Sequence, residues 1–83
     1  MPTVVEEGEF RIKVFGPPRE HPPIHVHVEH GADGLVIIRL ATRLKPHEVW
    51  AVYDMKNRDV VAAYRLVETH EAAIRAAWRT MHG

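Results

Sequence analysis

The sequence predicts an α+β domain: an antiparallel sheet of three to four strands packed on one long C-terminal helix, kinked or split near residue 69. Three stretches carry that expectation. Ile24 to Glu29 alternates apolar and polar residues without a fault, the period of a half-buried strand. Leu35 to Leu40 is a nearly continuous β-branched run, the pattern of a central strand covered on both faces. From Val60 to Met81 apolar residues recur at helical spacing.

Taken in order, Glu9 to Phe15 reads as the first strand, with Phe10, Ile12 and Val14 on one face. Gly16 to Pro23 holds four prolines, which exclude helix and central strand and favour a stiff, extended loop. The second strand follows, with Ile24, Val26 and Val28 on one face and His25, His27 and Glu29 on the other. His30 to Gly34 supplies the two glycines and the aspartate of a tight connection to the third strand. After a loop around Lys45-Pro46, Glu48 to Tyr53 is rich enough in aromatic and β-branched residues for a fourth.

Asn57 is placed to cap a helix that begins near Arg58, with Asp59 in its first turn. Val60, Tyr64, Val67, Ile74, Trp78 and Met81, widened by Ala63, Leu66, Ala73 and Ala77, form its buried stripe. Glu71 and Arg75 are spaced as a helical ion pair. Thr69 is the residue that would cap a second helix if the first broke there.

A chain of 83 residues suits one domain, spanning residues 1–83. At 46% apolar and 27% charged residues its composition is that of a folding chain and not a disordered one. With no cysteine, neither disulfides nor thiolate metal sites are available. The acidic start, with no apolar run of signal-peptide length, and a longest apolar run too short to span a bilayer make the cytoplasm the expected location, with no membrane role. Eleven basic residues balance eleven acidic ones, so a nucleic-acid partner would need a local contact and is not the favoured one.

The chemistry-bearing residues are histidines, four of the seven lying between His21 and His30. If the aliphatic faces of the first two strands meet the helix, Arg11 and Lys13 share the outer face with His25, His27 and Glu29. Three readings compete for that face. It is a solvated sheet surface, as alternation requires. It is a metal site, with His25 and His27 about 6.6 Å apart along the strand as ligands to zinc or another divalent ion; two ligands are too few, so Glu20, His21, His30 or His47 would have to complete the set. Or it is an acid/base pair on a phosphodiester such as RNA, with Arg11 or Lys13 stabilising developing charge. No cofactor is expected on the leading reading. No serine exists for a nucleophile elbow, and no phosphate-cradling glycine loop is present.

The third and fourth strands carry apolar residues in both registers, while one helix covers one face. A homodimer or a small protein partner is therefore expected, with Ile37, Trp50 and Tyr53 near the contact.

Met1-Pro2-Thr3-Val4-Val5, the strand from Phe10 to Phe15, Pro22-Pro23 followed by His25-Val26-His27-Val28, and the ending Val67-Glu68 to Trp78 and His82-Gly83 together resemble a small prokaryotic family, domain of unknown function 4160. The family signature runs Pro-Pro-His-Ile-His-Val; here Ile24 stands between the prolines and His25, and Val26 replaces isoleucine. The resemblance implies a partner encoded beside the protein, in the manner of a toxin–antitoxin pair, and keeps a nuclease-like activity in view. It carries no catalytic residue across. The leading expectation is a cytosolic interaction module; the alternative is a small histidine-dependent enzyme, with or without metal, acting on RNA or another phosphodiester.

Overall fold

The computed structural model describes residues 3–15 and 23–82. Five strands, β1 (Thr3–Glu7), β2 (Phe10–Lys13), β3 (His25–His30), β4 (Gly34–Arg39) and β5 (Glu48–Tyr53), precede two helices, α1 (Asn57–Thr69) and α2 (Glu71–His82). The strands form one antiparallel meander in the order β1-β2-β3-β4-β5, so β1 and β5 are its edges. The α+β class is as expected, with one strand more and one helix split. The proline-rich segment lies mostly outside the described residues, as do Glu20 and His21, two of the expected supplementary metal ligands.

The additional strand is β1. Its sequence does not alternate cleanly, because Val4 and Val5 are adjacent and the pairing with β2 shifts between Thr3 and Val5. What makes it a strand is the hairpin: Gly8, at φ 59°, takes the left-handed conformation that turns the chain back into β2. At β4, Gly34 serves a different need. A Cβ there would sit 2.8 Å from the His30 carbonyl oxygen and 3.2 Å from that of Asp54, so the backbones approach too closely for any side chain.

The long helix is split, close to the expected residue 69: it breaks at His70, which leaves helical geometry at φ −106°, ψ 19°. Thr69 does not cap the second helix; its hydroxyl donates back to the Arg65 carbonyl. A straight helix over residues 57–82 would run about 39 Å at 1.5 Å per residue, longer than the molecule's longest dimension of 34 Å. Breaking it lets both halves reach the sheet. The α1 start is also one residue earlier than expected: Lys56 is the N-cap, with extended backbone and no side-chain cap bond, and Asn57 is already helical.

The core is the helix-facing side of the sheet, Ile12, Val14, Val26, Val28, Val36, Ile38 and Leu40, closed by Ala63 and Val67 of α1 and Ile74 and Trp78 of α2. Ala73, expected in the stripe, is exposed. No helix among the described residues is long and apolar enough to cross a membrane.

Candidate functional site

Strand register brings the predicted outer face together. Lys13 pairs with His27, His27 with Ile37 and Ile37 with Ala51; beside that row, Arg11 pairs with Glu29, Glu29 with Leu35 and Leu35 with Tyr53. The face is thus polar over β2 and β3; over β4 and β5 it is apolar in these two rows, with the Arg39–Glu48 pair beyond them.

Arg11 and Lys13 converge on a single carboxylate. Arg11 Nε lies 3.1 Å from Glu29 Oε1 and Lys13 Nζ 3.1 Å from Glu29 Oε2, while a second Arg11 nitrogen donates to the Gly31 carbonyl at 2.6 Å. Partial burial alone would raise the Glu29 carboxyl, but the hydrogen bonds from Lys13 and Arg11 outweigh it and hold the group below the usual carboxylate range. The two cations therefore face Glu29, two residues along the strand from His27.

His25 and His27 sit in an aromatic cluster at the other end of the same face. Their rings are 6.0 Å apart, and His25 lies 5.4 Å from Trp50 and 5.9 Å from Trp78, while Phe15 meets His27 edge-on at 4.9 Å. His25 donates from Nδ1 to the Pro23 carbonyl at 2.9 Å. His82 stacks flat on Trp78, 3.8 Å between centroids, and donates from Nε2 to the Phe15 carbonyl at 2.9 Å, which ties the end of α2 to the end of β2. Among the described residues, no group of three or more histidines and carboxylates is placed to hold a metal ion.

Sequence reasoning missed the parts of this cluster that α2 supplies. The available signal was Trp78 and His82, four residues apart and therefore one above the other on a helix. A second histidine site was seen only in parts: the Glu71–Arg75 ion pair was expected and is present, but its meeting with His47 was not. Nδ1 of His47 accepts the Ala41 N–H at 2.7 Å, so Nε2 carries the proton and points to Glu71 Oε1 at 3.3 Å. Glu71 is also gripped by Arg75 at 2.7 Å, which is the main reason its carboxyl lies below the usual range. Arg75 reaches the Ala41 carbonyl at 2.8 Å and the Tyr64 hydroxyl donates to the His47 carbonyl at 2.9 Å. The bonds of Tyr64, Glu71 and Arg75 to His47 and Ala41 tie the β4–β5 loop to both helices.

Among the described residues, β5 carries the densest run of exposed large apolar side chains. Val49 is 38% exposed, Trp50 50%, Val52 42% and Tyr53 54%, so four of six consecutive strand residues present apolar surface. Ile37, half-buried on β4, lies one strand in from that edge, paired with Ala51 on the outer face. At the start of β5, Glu48 is held by Arg39 at 2.8 Å, and that hydrogen bond keeps its carboxyl below the ordinary range.

Compared with known proteins, residues 10–79 match a family model described as Domain of unknown function (DUF4160). No curated protein and no solved structure matches the chain.

Proposed function

We propose, from the premise that this chain belongs to the family domain of unknown function 4160, that it is a protein–protein interaction module whose contact element is β5. The observation that carries the reading is an edge strand whose only hydrogen-bonded neighbour among the described strands is β4 and which exposes Val49, Trp50, Val52 and Tyr53. An exposed, apolar edge offers unpaired backbone groups and apolar side chains to an incoming strand.

The contrast with the opposite edge supports this. β1 carries the exposed carboxylates Glu6 and Glu7 and lies beside α2, with His70 Nε2 3.8 Å from Glu7. Charges and a covering helix are common ways of blunting an edge. β5 has no lysine or proline, and its one carboxylate, Glu48, is occupied by Arg39.

A finer form of the reading, one half of a toxin–antitoxin-like pair, is supported by the family resemblance alone. The alternative of a histidine-dependent enzyme is supported by the proximity of the His25 and His27 rings, 6.0 Å apart. The interaction reading explains more of the surface, because it accounts for β5 and Ile37 together.

Val52→Lys tests it. The substitution puts a charge on the contact edge at a site already 42% exposed, so the fold is kept. Light scattering of the purified protein, and affinity capture from the native host, should show wild-type complexes weakened at least ~30-fold, the loss of about 2 kcal/mol typical of a contact centre. Complexes of unchanged strength with Val52→Lys would refute β5 as the contact element.

A further inference from the structure

We infer that the strand received by β5 is the β5 of a second copy of this chain, paired antiparallel in the register that sets Ala51 opposite its own counterpart. The inference rests on β5 being the contact element and adds the partner and the geometry.

A bulge decides the register. Ile37 pairs with Ala51 but Ile38 pairs with Val49, so Trp50 is an extra residue in β5. Sorted by the β4 residues they oppose, Glu48, Ala51 and Tyr53 lie on the outer face with Arg39, Ile37 and Leu35. Val49 and Val52 lie on the helix face, opposite the fully buried Ile38 and Val36.

Two antiparallel strands related by a two-fold axis place residues of the same face opposite each other, because the axis stands perpendicular to the sheet. Counted without the bulge, a pairing centred on Ala51 would set Glu48 against Asp54 of the second copy, like charges opposite. The bulge removes that conflict. Glu48 then opposes Tyr53, whose hydroxyl is a donor for the carboxylate, Val49 opposes Val52, and Ala51 opposes Ala51.

Asp54, at φ 52°, has already left the strand. Sliding to the next same-face register strands two residues in each copy, Val52 and Tyr53 in one direction or Glu48 and Val49 in the other. One register alone pairs every residue of the edge apart from the bulged Trp50.

The same register explains why two valines on the core side of the sheet are exposed at 38% and 42%. They lie on the face that the helices cover elsewhere, and the second copy's Val52 and Val49 would continue that face past the edge.

The absence of cysteine gives a clean test. Under mild oxidation, Ala51→Cys should cross-link to itself, since directly opposed residues in an antiparallel pair have Cα separations of about 4.5–5.5 Å, within disulfide range. A mixture of Val49→Cys and Val52→Cys should cross-link at least ~10-fold more than either variant alone, because like positions are then about 8 Å or more apart. Val61→Cys, exposed on α1, is the control for random collision. Circular dichroism checks each fold, and the mixed pair carries the test if Ala51→Cys folds poorly.

Wild-type monomers at micromolar concentration, or cross-linking with no preference for these pairs, would overturn the inference. If the protein is monomeric and Val52→Lys still abolishes capture of an unlike partner, the second copy is wrong and the contact strand is right. If Val52→Lys changes nothing either, both fall.

Discussion

Trp78→Ala is expected to destabilise the fold by about 3–5 kcal/mol, the cost of removing a large aromatic side chain from a core. Trp78 is 5% exposed and belongs to the cluster that closes the sheet, so the space left behind cannot be filled by water without wetting apolar neighbours. It also carries the stacked His82 ring, whose bond to the Phe15 carbonyl anchors α2 to β2. For a domain whose whole stability is of the order of 5–10 kcal/mol, that is a large part of the total. His25→Ala should cost less than about 1 kcal/mol, because its bond to the Pro23 carbonyl lies at the exposed surface. Denaturant melts of the two variants compare them directly. A greater loss for His25→Ala would mean that the histidine cluster, and not the tryptophan, holds this end of the molecule.

Adjacent isoleucines on β4 should behave oppositely. Ile38 is fully buried against the helices, and Ile38→Ala should cost about 2–5 kcal/mol as a cavity in the core. Ile37 points to the outer face, paired with His27 on one side and Ala51 on the other. Ile37→Ala should cost the isolated chain less than about 1 kcal/mol. The comparison is made on dilute protein by thermal or urea unfolding, where contacts between copies do not contribute. Equal losses would mean that the outer face is packed as tightly as the core, and the placing of the core on the helix side of the sheet alone would fail.

Much of the sheet was legible because period-two patterning survives wherever one face is buried and the other is wet. His25, His27 and Glu29 against Val26 and Val28 is the plainest case, and the Glu48 to Tyr53 strand has the bounds read from its composition. β1 was not legible, because its two adjacent valines break the alternation and its strand character depends on pairing with β2 across the Gly8 turn. The helix break at His70 falls one residue from the position at which a kink or split was expected, but the sequence left a continuous helix equally open, because no glycine or proline interrupts the run.

The site divides in the same way. Alternation alone placed Arg11, Lys13, His25, His27 and Glu29 on one face, and register carries out that arrangement. Which of them meet is a different matter. Both cations turn to Glu29, while His25 turns to Trp50 of β5 and Trp78 of α2, and His27 to Phe15. The Trp50 bulge was invisible as well, since a bulge is a property of pairing between strands and leaves no signature in the composition of one.

Amide hydrogen exchange along β5 tests the central claim, that this edge is built to be covered. In an edge strand roughly half the N–H groups point away from the neighbouring strand, and on β5 these should gain at least ~10-fold protection, about 1.4 kcal/mol, as protein concentration is raised or host extract is added. The corresponding amides of β1 should not change. Outward amides of Val49 to Tyr53 that exchange at the same fast rate in every one of these conditions would contradict the account.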